Sequence, residues 1–190
     1  MTKNIFKVDI LSLGISQIYL NKRKIKSIGK WFDTKDIDKY DPLPVYDFGN
    51  GRLTLTDGHT RAFLTYKSGV RELWVDMDTE ELITDKIGHE IYKNSIIWCD
   101  RFHLKTIADL ENRIISNEEY QILWEQRCER MYHLIANKHK IKTDHEKGLF
   151  LYGAAPDLSV KYYEDINGTL FKMIHGHITQ EIFEQEKKIN

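Results

Sequence analysis

Asp57, Gly58, His59, Thr60 and Arg61 occupy consecutive positions between a strand-like run and a helical one. The stretch from Leu53 to Gly69 reads LTLTDGHTRAFLTYKSG. It alternates, breaks at Asp57-Gly58, and resumes as an amphipathic segment. A helix that starts in such a turn presents free N–H groups and the positive end of its dipole. Phosphates and carboxylates bind at such an end. An anion site at residues 57–61 is therefore the first chemical expectation. The plainer reading is architectural: Asp57 caps the helix, Arg61 pairs with Asp57 or Asp47, and His59 is an ordinary surface residue. A cluster of Asp, His, Thr and Arg is more than capping requires.

The elements around the turn must position it. Residues 5–20 alternate loosely, and Ile15, Ile18 and Leu20 suggest a strand entered after Gly14. Residues 22–32 carry Ile25, Ile28, Trp31 and Phe32 at helical spacing, with Lys22, Arg23, Lys24, Lys26 and Lys30 on the other side. That basic side is either a solvated face or a phosphate-facing wall beside the turn, with Lys22 and Lys26 as its candidates. Residues 33–44 are polar, end in Pro42 and Pro44, and read as a loop. Val45 to Phe48 and residues 52–56 are short strands joined at Asn50-Gly51, a hairpin signal. The helix then runs from Thr60 to Lys67, with Ala62, Phe63 and Tyr66 on its apolar face and Gly69 as C-cap. Val70 to Val75 closes the unit as a further strand.

From Thr79 the texture becomes helical, to about residue 140. Ile87, Ile91, Ile96 and Ile97 with Trp98 outline one helix. Thr106 with Asp109, and Ser116 with Glu119, match the capping-box spacing and predict two more helix starts. The second of these runs over roughly 117–137 with an apolar stripe through Tyr120, Leu123, Trp124, Met131 and Leu134. Residues 138–147 read as a polar linker. Two apolar runs then flank Asn167-Gly168, a second hairpin signal, and a charged tail ends the chain.

With 190 residues, 41% hydrophobic and 30% charged, the chain is expected to be a folded soluble protein rather than a disordered one. Its net charge of −1 lacks the long-range attraction of a dedicated nucleic-acid binder. Cys99 and Cys128 stand far apart in helical patterns, so buried thiols are expected rather than a disulfide or a zinc site. No apolar run is long enough to span a membrane and no leader pattern opens the chain, which predicts a cytoplasmic protein without a membrane partner. His175-Gly176-His177 has no carboxylate or Cys at ligand spacing, and His133, His139 and His145 follow no metal register, so no metal site is expected. Thr106 to Trp124 faintly resembles a helix-turn-helix. Its second helix opens with Glu118-Glu119, which repels phosphate where a recognition helix meets DNA.

The segment PLPVYDFGNGRLTLTDGHTRAFLTYKSGV, preceded by ISQIYL, resembles the ParB/sulfiredoxin-like domain. The resemblance covers residues 13–76, roughly a third of the chain. It centres on Asp57-Gly58-His59-Thr60-Arg61. It implies nucleotide binding, with the turn and helix N-terminus holding the phosphates of ATP, ADP or CTP. Gly58 lets the backbone approach a phosphate closely. Thr60 and Arg61 offer an N–H, a hydroxyl and a guanidinium, and His59 offers a further donor. Asp57 can orient Arg61, bind Mg²⁺ through oxygen, or act as a base toward a hydroxyl. Partition-type ParB domains carry Gly-Glu-Arg-Arg where this chain has Gly58-His59-Thr60-Arg61, and sulfiredoxins carry Cys where it has His59. The Asp-Gly-His-x-Arg form is most similar to the free-serine kinases of the superfamily. Those need a Glu soon after the first strand, where this chain reads Asn21-Lys22-Arg23-Lys24.

The expected fold is α+β: a ParB/sulfiredoxin-like mixed sheet with helices over residues 1–80, a helical extension over 81–140, and a C-terminal β-hairpin over 148–190 packed on the same body. The expected function is nucleotide binding, with phosphotransfer to a small hydroxyl as its catalytic version and Asp57 as the catalytic residue. The alternatives are a DNA-associated accessory protein and a protein-interaction module without chemistry.

Overall fold

The computed structural model describes residues 4–140, 150–154, 160–164, 170–174 and 177–180. The chain divides into two compact units, Met1–Tyr120 and Gln121–Asn190. Much of the helical middle therefore belongs with the unit that carries the Asp57 turn.

In chain order the first unit begins with β1 (Ile5–Asp9), β2 (Leu20–Asn21), α1 (Lys22–Ile28) and a 3₁₀ segment, Thr34–Lys39. It continues with β3 (Leu43–Asp47), β4 (Leu53–Leu55), α2 (His59–Lys67) and β5 (Glu72–Met77). Then come α3 (Glu81–Thr84), α4 (Lys86–Arg101), a 3₁₀ segment Ile107–Arg113, β6 (Ile114–Ile115) and α5 (Asn117–Tyr120). The main sheet is four-stranded in the order β1-β5-β3-β4. It is mixed: β5 runs antiparallel to β1 and parallel to β3, and β4 returns antiparallel to β3. The α+β class expected from the sequence is what the structure has.

Alternation explains the sheet. Leu43 and Val45 on β3, Leu73 and Val75 on β5, and Leu55 on β4 are buried. Ile10, Leu13, Ile18, Leu20, Phe63, Trp98, Ile107 and Leu110 complete the core of this unit.

The segment expected to be a strand near residues 15–20 is largely not one. Gly14 makes an isolated parallel bridge to Thr54, donating to the Leu53 carbonyl at 2.8 Å and accepting from the Leu55 N–H at 3.0 Å. A Cβ at Gly14 would stand 2.7 Å from the Thr54 hydroxyl, so a side chain here would require Thr54 to shift. Pairing resumes at Leu20, where β2 joins β6 in parallel. Ile15 and Ile18 are buried without belonging to a ladder.

The Asn50-Gly51 signal lies in the loop between β3 and β4, but not as a two-residue turn. The Asp47 carboxylate accepts N–H groups from Gly49, Asn50 and Gly51 at 2.8, 3.2 and 3.1 Å, and Gly49 and Gly51 both have positive φ. Both capping boxes form. The Asp109 carboxylate accepts the Thr106 N–H at 2.8 Å, while Glu119 and Ser116 exchange hydrogen bonds at 2.9 and 3.2 Å. After Thr106 the chain forms a 3₁₀ segment and then β6, so this stretch is not a pair of α-helices.

The second unit opens with a π-helical stretch, Gln121–Glu125, and α6 (Gln126–Lys140). Lys138–Lys140, expected to open a linker, are helical, and the remainder of that expected linker lies outside the described residues. Beyond it lie four strands: β7 (Phe150–Ala154), β8 (Val160–Glu164), β9 (Leu170–Ile174) and β10 (His177–Gln180). They form an antiparallel sheet in the order β10-β9-β8-β7, which is larger than the single hairpin expected. Asn167-Gly168 fall between β8 and β9 but lie outside the described residues, as do His175, Gly176 and the charged tail. No helix among the described residues is long and apolar enough to cross a membrane.

Candidate anion-binding turn

Gly58 is the N-cap of α2 and adopts the left-handed conformation, φ +76 and ψ 13. A Cβ there would lie 2.6 Å from Leu43 Cδ2, so a larger residue would strain the backbone and require Leu43 to shift. Since glycine has no side chain, α2 starts without a side-chain cap hydrogen bond. Its first-turn N–H groups are thus not held by a capping oxygen.

His59 is placed differently from an ordinary surface residue. It is only 3% exposed, and its Nε2 accepts the backbone N–H of Ser16 at 3.1 Å. An Nε2 that accepts is unprotonated, so the neutral ring carries its proton on Nδ1. Burial pushes the imidazole pKa down from 6.5 to about 4, against a weaker upward pull from the Asp57 carboxylate. Ser16 also donates its hydroxyl to the Leu55 carbonyl at 2.8 Å. His59 and Ser16 together tie the first turn of α2 to the segment beside β4. A donor to phosphate through Nε2 is ruled out in this state, because that nitrogen is an acceptor already in use.

Arg61 faces another way. Its Nη1 donates to the Asp41 carbonyl at 2.9 Å. Its Nη2 would lie 3.5 Å from a Cβ on Gly58, so the guanidinium sits beside the start of its own helix. It forms no ion pair with Asp57 or Asp47 among the described residues. Thr65, one turn on, donates its hydroxyl to the Arg61 carbonyl at 2.9 Å. Thr60 is buried in the same first turn, and Asp57 is exposed just before it. The five predicted residues are thus together, but in three roles. Gly58 and Arg61 shape the turn, His59 and Thr60 are buried in the fold, and Asp57 stands in solvent.

Lys22 and Lys26 are exposed on α1, which packs against α2. Neither makes a hydrogen bond or ion pair to the turn among the described residues. Asn21 caps α1, accepting from Arg23 N at 2.8 Å and Lys24 N at 3.3 Å, and donates to Asn117 at 3.1 Å. Lys24 lies over the Tyr120 ring, 5.6 Å from its centroid. The basic side chains of α1 are therefore exposed, with Lys24 held against an aromatic ring.

Arg61 and Leu43 also line a shallow pocket with room for about one water. Phe32, Tyr40, Leu73 and Trp74 line it with Ile37 and Thr65. The sequence does not announce this feature, because residues 33–44 have the composition of a polar loop. The aromatic residues in and beside that loop are the available signal. Among the described residues no group of three or more His, Cys, Asp or Glu gathers to hold a metal, and no disulfide joins Cys99 to Cys128.

No family model matches the sequence, and no curated protein matches it. Among solved structures, protein Atu1540 from Agrobacterium tumefaciens overlaps 40% of this chain and 39% of its own, at 22% identity and a TM-score of 0.35. A likeness of that extent bears on neither fold family nor function.

Proposed function

We propose that the Asp57–Arg61 turn binds the phosphate groups of a nucleotide, in a domain of the ParB/sulfiredoxin-like type. The observation that carries this reading is the start of α2. It is an uncapped helix N-terminus on a left-handed glycine, with a guanidinium beside it that no carboxylate neutralises among the described residues. Backbone N–H groups, a helix dipole and an arginine fork all lie at the start of this helix, and each favours a multivalent oxyanion. Asp57 is exposed at the same turn, which suits a Mg²⁺ that arrives on the phosphates and needs one protein carboxylate. ATP, ADP and CTP are the nucleotides to try.

The residues that hold phosphate in this reading are the first-turn N–H groups and Arg61. Gly58 gives access, and His59 fixes the helix rather than touching the ligand. The reading favours binding over turnover. A phosphotransferase needs a base near the acceptor hydroxyl, and Asp57 is the only candidate at the turn.

A second reading has a specific observation behind it. His59 and Arg61 both bond within the fold, to Ser16 and to the Asp41 carbonyl. An architectural turn in a protein-interaction module accounts for those bonds too. Duplex DNA is the weaker alternative, since Glu118 and Glu119 fill the first turn of α5.

Thermal unfolding with ATP, ADP or CTP and Mg²⁺ decides between them. At saturating ligand the melting temperature is expected to rise by about 5 °C or more. Arg61→Ala is expected to fold and to lose that rise. No shift with any of the three nucleotides sinks the reading in favour of the interaction module.

A further inference from the structure

We propose that this chain associates with a second copy of itself, the basic surface of α1 with Trp31 on one copy meeting the acidic surface of α3 with Leu82 on the other. The inference is independent of the nucleotide reading.

The basic side begins at Lys22. Lys22, Arg23, Lys26 and Lys30 are exposed, and no acidic residue stands between Asn21 and Phe32. None of the four forms an ion pair among the described residues, whereas Lys7, Lys39, Lys67 and Lys105 each pair with a carboxylate. Lys22 and Lys26 are one turn apart and share a side of the helix. No residue of α1 is buried, so the helix lies on the surface. Trp31 follows it directly.

The acidic side is a single helical turn. Glu80 and Glu81 are exposed and form no ion pair among the described residues. Asp85 adds a third exposed carboxylate, which also caps α4 by accepting from Ile87 N at 2.9 Å and Gly88 N at 3.1 Å. Lys86 is the cation that follows. Ile83 anchors the turn in the core, and Leu82 is turned out of it.

Each charged surface thus carries an apolar side chain that the fold leaves in solvent. Trp31 and Leu82, at 55% and 52% exposure, are the two most exposed large apolar residues described. An apolar anchor rimmed by charge is how a protein-binding surface is built, and Trp is enriched at the residues that carry binding energy. Both anchors are held. The Trp31 carbonyl accepts the Tyr40 hydroxyl at 2.9 Å, and its ring meets Phe32 and Tyr40 edge to face. Gly88 packs so closely on the Leu82 carbonyl that a Cβ would overlap it. Little conformational freedom is left to lose on binding. The signs are opposite, so the chain itself carries the complement of its own basic surface. A net charge of −1 adds almost no repulsion between copies.

Sedimentation velocity of the full chain tests this. At about 100 μM protein and about 20 mM salt the mass is expected to exceed that of one chain, and to fall toward it at about 500 mM salt. Lys22→Glu with Lys26→Glu should weaken association about tenfold or more, and so should Glu80→Lys with Glu81→Lys. These side chains make no bonds within the fold, so both variants should melt as the wild type does. Mixing the two variants restores opposite signs and should restore the larger mass. Leu82→Ser changes no charge and should also weaken association, which diffuse attraction between charged molecules would not register. A single-chain mass at low salt overturns the proposal. So does association that survives both charge reversals, or a mixture of the two variants that stays monomeric, or a Leu82→Ser chain that associates like the wild type.

Discussion

His59 is the residue whose environment departs furthest from what its position in a polar turn suggests. Its ring is buried, and its Nε2 holds the Ser16 N–H. Burial lowers its pKa from 6.5 to about 4. The sign of the pH effect is set by that direction. In the unfolded chain the imidazole gains a proton as pH falls through 6.5, whereas the folded chain resists protonation until about 4. The unfolded state binds more protons across that window. The contribution of His59 is thus fully present above pH 6.5 and is lost as pH falls toward 4. Its size is about 3 kcal/mol. Urea unfolding at pH 7 and at pH 4.5 should show this loss. His59→Gln keeps an acceptor for Ser16 and cannot titrate, so its stability should change less between those pH values. Equal pH dependence in both proteins would refute the assignment. The burial of His59 was legible in part: it stands three and four positions before Ala62 and Phe63, on the apolar stripe of α2. Its partner was not legible, because Ser16 is far away in sequence and no periodicity connects the two.

At the scale of elements, the start of α2 depends on a glycine for two separable reasons. Gly58 has φ +76 and a Cβ there would meet Leu43 Cδ2 at 2.6 Å, whereas Gly51 has φ +72 and nothing within 4 Å. Gly51→Ala therefore tests the left-handed backbone alone and should cost about 1 kcal/mol. Gly58→Ala adds the clash and should cost distinctly more, about 2–4 kcal/mol in urea unfolding. Equal costs would show that Leu43 moves aside without penalty. Ser116→Ala breaks the reciprocal pair with Glu119 and should cost about 1 kcal/mol. Capping boxes, the α2 boundary and the β3 and β5 strands were readable because each is set by neighbours a few positions apart. The 15–20 segment looks like a strand because burial and ladder pairing give the same alternation in sequence. Gly14 bridges Thr54 once, and Ser16 then bonds α2 instead of continuing the ladder.

At the scale of the molecule, Met1–Tyr120 forms a compact unit with its own core. A fragment of residues 1–120 is expected to unfold cooperatively, and nucleotide should raise its melting temperature as in the full chain. A fragment that does not fold would show that the second unit is needed for the first. The sequence by itself determined the α+β class, the α2 start at a polar turn, and the candidacy of residues 57–61. Those features depend on local periodicity, turn chemistry and the geometry of a helix N-terminus. Only the tertiary structure decided what the turn's side chains do. It buried His59 against Ser16, turned Arg61 toward Asp41 and Gly58, and brought Phe32, Tyr40 and Trp74 around one pocket. Each of these is a contact between residues distant in the chain, so its energy depends on packing that no local pattern encodes.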